Sequence, residues 1–420
     1  METNPWILKQ VQDDKKNSTS VAPFKFELIH QSKKSRARVG RIHTPHGIID
    51  TPNFVAVGTN GTLKAIDNQA VELSRARMVR QAHHERTVDQ DERSVRQTEI
   101  QLMFCNTYHL MLQPGAELIK QAGGLHKFIN RTLPIITDSG GFQVFSLMYG
   151  GVHNELKSNG TKTHNNSVLK ISEDGVLFRS YRDGAKVLLT PETSIQAQKD
   201  IGADMIVCFD ELPGYHTDPE QLKKSLERTH RWEKRSLDEH LKNPNNQALY
   251  AVIHGGLDQE LRKQSCQYLS SLNFDGYAIG GSLGKTREQM IELLNFLMPI
   301  LRADKPNHLL GIGDLESIHQ IIPLGIDTFD CSHPTKAARH GQLFTKQGTL
   351  RVLKNGNSTN FGPIEKDCNC YTCKNYSLAY LCHLFKAHEL TAYTLATIHN
   401  LNHMVELMQN YRSKILNDEV

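Results

Sequence analysis

Read for its alternation of apolar and polar positions, the chain repeats one unit. A short apolar run ends in small or acidic residues, and an amphipathic stretch follows. Leu133–Thr137 precedes Asp138-Ser139-Gly140-Gly141, Met205–Phe209 precedes Asp210-Glu211, and Leu249–Ile253 precedes His254-Gly255-Gly256. Tyr277–Ile279 precedes Gly280-Gly281, His308–Ile312 precedes Gly313-Asp314, and Ile326–Phe329 precedes Asp330-Cys331. Between them, Ser194–Ile201, Pro219–Leu241, Gln259–Leu272 and Arg287–Leu301 carry helical periodicity. Strands alternating with helices predict βα units and a parallel sheet. In a doubly wound open sheet the polar tips gather at one or two switch points, whereas here they spread over at least six strands. The expected fold is therefore α/β, a (β/α)8 TIM barrel.

Phe24–Phe54 reads as a strand-rich opening with turns at Gly40 and Pro45–Gly47. Residues 1–22 are polar and read as a disordered extension. Two stretches break the periodicity. Arg75–Gln97 holds six Arg with few large aliphatics and reads as a surface insertion, and Gly150–Asn166 reads as a mobile loop. The expected organisation is a catalytic barrel over 23–360, a metal-binding subdomain with a closing helix over 361–410, and a tail over 411–420.

Composition changes this picture little. Apolar residues at 38% and charged residues at 22% fit a globular chain with a full core. No apolar stretch is long enough for a membrane span, and the N-terminus lacks a signal-peptide core, so a cytoplasmic location is expected. A net charge of +4 does not by itself imply nucleic acid. Basic clusters at 33–41, 223–235 and 336–339 read individually as solvated faces.

The cysteines are more informative. Four of the eight lie apart among apolar neighbours as core residues, and four crowd between positions 368 and 382. Cys368, Cys370 and Cys373 can turn three thiolates onto one zinc ion from a tight loop. Spacing leaves the fourth ligand open among Cys382, His383, His388, His399 and His403. Four protein ligands would close the site, making it structural.

Asp138, Asp210 and Asp330 each follow an apolar run, where a barrel places its active-site groups. Each alone could be a cap or turn former. Together, beside glycine pairs that let backbone approach closely, they predict a shared pocket. Two carboxylates flanking a glycosidic bond can serve as nucleophile and general acid/base. A third can read a guanine edge by accepting two parallel N–H donors.

Asn106-Thr107-Tyr108-His109-Leu110, Thr137–Gln143, Phe329-Asp330-Cys331 and the Cys368–His399 arrangement resemble the signature segments of the tRNA-guanine transglycosylases, over residues 24–408 apart from the two interruptions. The resemblance implies a zinc-bearing TIM barrel, usually dimeric, that replaces guanine at the anticodon wobble position of GUN tRNAs with a 7-deazaguanine base. It selects His399 as the fourth zinc ligand. It implies Asp330 as nucleophile and Asp138 as general acid/base. Asn106, Ser139, Gly140, Gly141, Phe142, Asp210, His254, Gly280, Gly281 and Ser282 would hold the base. Gly311, Ile312, Gly313, Asp314, Leu315, Glu316 and Ser317, with Thr335, Lys336, Ala337, Ala338 and Arg339, would meet the anticodon loop.

Three positions depart from the family pattern. His254 replaces a usual Gln, Lys336 replaces a usual Arg, and Gly284 stands where users of the aminomethyl base carry a bulkier residue. The last favours queuine as the incoming base. Rival readings are a non-catalytic zinc- and tRNA-binding partner subunit, an archaeosine-type enzyme acting elsewhere on tRNA, and a barrel glycoside hydrolase. Retention of both Asp138 and Asp330, a short C-terminus and the zinc motif argue against them in turn.

Overall fold

The computed structural model describes residues 24–68, 99–150, 152–157 and 167–420. The expected N-terminal extension and the Arg75–Gln97 insertion lie outside the described residues, as do residues 151 and 158–166 of the Gly- and Asn-rich stretch. The chain enters as an antiparallel sheet of β1 Lys25–Gln31, β2 Arg38–Thr44 and β3 Gly47–Thr51. The barrel then begins with β4 Asn53–Val57, β5 Met103–Cys105 and β6 Ile135–Thr137. A second antiparallel sheet, β7 Val168–Ile171, β8 Val176–Arg179 and β9 Lys186–Leu189, interrupts it. The barrel resumes with β10 Met205–Val207, β11 Ala248–Ile253, β12 Gly276–Ile279, β13 Asn307–Leu309 and β14 Thr328–Cys331. The hairpin β15 Gln342–Thr345 and β16 Gly348–Arg351 follows. The eight barrel strands are parallel and closed, with β14 pairing β4 and β6 pairing β10. This is the predicted TIM-type barrel.

The uninterrupted apolar runs follow from burial on both faces of each strand. In β11, Ala248, Tyr250 and Val252 point into the barrel, whereas Leu249, Ala251 and Ile253 pack outward against helices. The bottom is closed by the first sheet. Arg38 reaches Asp327, which is fully buried, through two bonds of 2.6 and 2.8 Å. His46, in the β2–β3 turn, meets Asp204 at 2.7 Å, and His126 approaches its other oxygen at 3.1 Å. Burial pushes the Asp204 carboxyl up, but the two imidazoles outweigh it and hold it well below the usual range.

One helix does more than cover the sheet. Pro219–Lys242 starts at Asp218, whose side chain accepts from the Gln221 N–H at 3.0 Å. Its buried face carries Thr229, Glu233 and Ser236 among Leu226, Trp232 and Leu237. β10 ends at Val207 while β11 continues to Ile253, so the strands part and leave backbone donors unpaired. Ser236 accepts from Phe209, Thr229 from Glu211 and Glu233 from Val252, at 3.3, 3.1 and 2.5 Å. The helix thus supplies acceptors for the donors that the parting strands leave unpaired.

A smaller core of Leu343, Val352, Leu378, Leu381, Leu384 and Leu395 surrounds three cysteines after β14. The long helix Leu390–Leu416 joins it to the barrel, where Leu401, Met404, Met408 and Ile415 enter the main core.

Candidate active site

A cavity of about 620 Å³ opens at the C-terminal ends of the barrel strands. Five of the six strand ends singled out in the sequence converge on it. It is lined by Asp138 after β6, Asp210 after β10, Gly280 and Gly281 after β12, Gly311 after β13, and Asp330 at the end of β14. Asn106, Ser139, Phe142 and Ser282 also line it.

Asp138 is the most tightly held. Asn106 Nδ2 donates to Oδ2 at 2.5 Å, and the Thr107 N–H donates to Oδ1 at 2.7 Å. The Thr107 hydroxyl donates to the Asp138 carbonyl at 2.5 Å. Burial drives its pKa up to about 6, against bonds from Asn106, Thr107 and Gln143, while the nearby Asp330 charge pushes the same way as burial. A carboxyl poised near neutrality can both give and take a proton.

Asp330 is presented differently. The Gly311 N–H donates to Oδ1 at 2.9 Å, and His308 Nε2 lies 3.2 Å from the same oxygen. His308 is fully buried and held by Thr328 Oγ1 at 2.9 Å on its other nitrogen. No described residue bonds Oδ2, which leaves one oxygen of a fixed carboxylate for attack on an electrophile.

Asp210 forms the third wall. Ser139 Oγ donates to Oδ1 at 3.0 Å, and His254 Nε2 lies 2.7 Å from Oδ2. A Cβ on Gly141 would stand 2.7 Å from the Asp210 carbonyl and carboxylate, so glycine is required for the helix Gly141–Tyr149 to approach. Gly281 has φ +77°, and a Cβ there would come within 2.8 Å of His254 Nδ1. His254 therefore works as a buried pair with Asp210, with its Nε2 turned to that carboxylate; among the described residues its Nδ1 has no hydrogen-bond partner. Beneath them Arg262 is buried and bonds the carbonyls of Ile253, Gly256, Gly280 and Ser282, tying the β11 and β12 ends together. Burial drives the Glu233 carboxyl far above its ordinary range, the Asp210 charge adds to this, and the Val252 N–H opposes it. Burial thus favours the protonated form of Glu233.

Sequence reading did not single out His308, Gln143, Glu233 or Arg262. His308 heads an apolar run and reads as its polar edge. Glu233 carried a usable signal, a carboxyl in register with Trp232 and Leu226 on the buried face of its helix.

Of the two segments expected to meet RNA, the first reaches the cavity, and the second follows Ser332, which also lines it. Gly311 and Ile312 line the pocket, and Asp314 caps the helix Leu315–Ile321 through the Ser317 N–H at 3.0 Å. Arg287 bridges Asp314 at 3.1 Å and Glu316 at 2.6 Å, offsetting part of their negative charge. In the helix His333–Arg339, Thr335, Ala337 and Ala338 are buried, Lys336 is exposed and Arg339 is half-buried.

At the C-terminal subdomain, Sγ of Cys368, Cys370 and Cys373 lie 3.8, 3.5 and 3.4 Å from His399 Nδ1. Tetrahedral zinc with ordinary Zn–S and Zn–N bonds would set such edges at roughly 3.6 Å. His399 Nε2 donates to the Phe344 carbonyl at 2.7 Å, which fixes the tautomer and leaves Nδ1 for metal. The four residues fit a closed metal site, and His399 is the histidine that converges. The next residue, Asn400, bonds Phe344, Pro334 and Gln342 at 2.9, 3.0 and 2.9 Å. It ties the metal-bearing helix to the segment that follows Asp330.

A family model described as queuine tRNA-ribosyltransferase matches residues 32–94 and 78–420. The queuine tRNA-ribosyltransferase of Protochlamydia amoebophila (strain UWE25) is 64% identical over 395 residues, covering 94% of this chain and 96% of its own length. That of Chlamydia felis (strain Fe/C-56) is 52% identical over 398 residues, covering 94% of this chain and all of its own length. That of Chlamydia caviae is 51% identical over the same span.

Proposed function

Since the chain belongs to the queuine tRNA-ribosyltransferase family and is a pentosyltransferase, we propose that it exchanges guanine at the wobble position of GUN tRNAs for a 7-deazaguanine base through a covalent intermediate. The observation that carries this reading is the pairing of Asp138 and Asp330 in one cavity, one carboxyl near neutrality and the other with a free oxygen.

Asp330 Oδ2 attacks the ribose C1′, the bond to guanine N9 breaks, and Asp138 gives its proton to the departing base. The incoming base then loses a proton to Asp138 and attacks C1′, which releases Asp330. Two displacements retain configuration. Asp210, with Ser139 and His254 fixing its orientation, accepts from the N1–H and amino group of the base, and Phe142 stacks on the ring. The cavity exceeds what one purine needs, and Leu212 and Gly284 line it. That room supports queuine over the aminomethyl base. Gly284 also has φ +110° with Gln289 Cβ 2.7 Å from where a Cβ would stand, so its backbone requires glycine as well.

The Cys368, Cys370, Cys373 and His399 site would hold one structural zinc ion. Its role is to brace the subdomain against the helix after Asp330. Exposed Phe361, Leu390 and Leu353 (83%, 77% and 55%) lie in the same C-terminal part of the chain, and a second copy of this chain is the proposed partner. Among the described residues no helix is long and apolar enough to cross a membrane. A tRNA substrate supports a cytoplasmic location.

The test supplies labelled guanine, queuine and the aminomethyl base separately, with purified protein and a tRNA bearing a GUN anticodon. Guanine and queuine should be incorporated and the aminomethyl base refused. No incorporation of any base would overturn the reading, and incorporation of the aminomethyl base alone would overturn the choice of queuine.

A further inference from the structure

The turn Ser180–Ala185, between β8 and β9, carries an aromatic beside the cavity that the exchange chemistry does not use. Tyr181 leaves 53% of its surface exposed. Its hydroxyl lies 3.2 Å from His109 Nδ1, and His109 lines the cavity. Its ring lies above Tyr108, with centroids 6.0 Å apart and planes 27° from parallel. Tyr108 is buried and packs on Phe178 at 5.3 Å, so Tyr181 is supported from beneath and open from outside.

One cation stands beside this ring and others lie on the adjoining strands. The Arg182 guanidinium stands 6.0 Å from its centroid, and Arg179 and Lys186 are exposed on the strands that lead into and out of the turn. The Lys64 charge is felt at His109. Asp183, the acid of the turn, is engaged, since Oδ1 accepts from the Ala185 N–H at 3.1 Å. The result is a pinned aromatic face among positive charges at the rim of a cavity built for one base.

An RNA loop that swings one base into such a cavity leaves the neighbouring bases unstacked. Exposed aromatics with adjacent cations bind such bases without reading their identity. We propose that Tyr181 is a stacking platform for a base adjoining the target nucleotide in a single-stranded RNA loop, with Arg182 and Lys186 holding the neighbouring phosphates. This rests on the transglycosylase reading and adds a contact beyond the two segments already expected to meet the anticodon loop.

The experiment measures binding of an anticodon stem-loop RNA to the full chain by fluorescence anisotropy, beside exchange kinetics. Tyr181→Ala should weaken binding about 5- to 150-fold. It should raise KM for tRNA and leave KM for the free base unchanged. Tyr181→Phe should stay close to wild type, which separates stacking from the bond to His109. Arg182→Ala should reduce the salt dependence of binding by about one phosphate contact. Abasic sites placed one at a time beside the target identify the stacked base. The wild type should lose affinity at one of them, and Tyr181→Ala should be indifferent to that change. Unchanged binding by Tyr181→Ala, or additive losses at every abasic position, would overturn the platform while the exchange reading stands. A wild-type protein that neither binds the RNA nor exchanges its base would overturn both.

Discussion

Replacing Asp138 by Asn tests the electrostatics of the pocket, because the Asp138 carboxyl is lifted from 3.8 to about 6 by burial and by the Asp330 charge, against bonds from Asn106, Thr107 and Gln143. At about 1.4 kcal/mol per pH unit, keeping it ionised in the fold costs about 3 kcal/mol. As pH rises through 3.8, the unfolded chain releases this proton while the folded chain keeps it, so stability falls. The fall ends near pH 6, where the folded group also ionises. Roughly half the loss is complete by pH 5, which leaves about 1.4 kcal/mol between pH 5 and 8. Asp138→Asn lacks this dependence. The amide also presents a donor to Asn106 or Thr107, which costs about 1–3 kcal/mol, but that offset does not change with pH. The prediction is therefore a difference of differences. Relative to wild type, Asp138→Asn should gain about 1.4 kcal/mol between pH 5 and pH 8. Urea unfolding followed through Trp232, buried and stacked on Phe209 at 4.9 Å, measures it. A change below about 0.5 kcal/mol would mean that Asp138 titrates near its ordinary value and that the acid/base assignment lacks its physical basis. Base exchange by the variant should fall about 100-fold or more at every pH.

The other predictions concern neighbouring parts of the same architecture. Asp330→Asn should abolish a denaturant-stable protein–RNA adduct and lower the pH at which Asp138 titrates; an adduct that persists would move the nucleophile elsewhere. His254→Gln should preserve exchange, whereas His254→Leu, which takes a bond from Asp210, should raise KM for the free base about 10-fold or more, with kinetics in varied base as the measure. Glu233→Gln should be nearly silent in urea unfolding at pH 7. Glu233→Leu should lose about 1–3 kcal/mol by orphaning the Val252 N–H, and equal losses in both would show that Glu233 is charged. Strong chelation should expose the Cys368, Cys370 and Cys373 thiols to a thiol reagent and loosen the 361–410 segment. Unchanged proteolysis and activity after metal removal would remove the structural role.

What the sequence disclosed and what it withheld differ in range. The barrel was readable because each strand is buried on two faces and gives way to small or polar residues at its end, so β6, β10, β11, β12, β13 and β14 all announce themselves. β5 did not: Met103–Cys105 is three residues long and owes its existence to its neighbours β4 and β6. The acids were readable for the same local reason, since Asp138, Asp210 and Asp330 follow apolar runs directly. Their working states are set by residues far away in sequence. His308 supports Asp330 from 22 positions upstream, and His254 fixes Asp210 from 44 positions downstream. The histidine at 254 shows the limit most clearly. As a substitution for Gln it looks like a changed donor to the base, yet the structure gives its Nε2 to Asp210. Glu233 closes the backbone gap two residues before it. Replacing His254 therefore alters a network that includes a helix, a strand end and the buried carboxyl of Glu233. The three cysteines could be placed around one ion from spacing alone, but spacing could not choose the histidine. That choice depended on which turn of Leu390–Leu416 faces the loop, and His399 is the residue whose second nitrogen also finds the Phe344 carbonyl. The same turn carries Asn400, which bonds Pro334 behind the helix that follows Asp330. A metal held by these four residues would act mechanically on this geometry: it would fix a helix whose next residue, Asn400, holds the segment that follows Asp330.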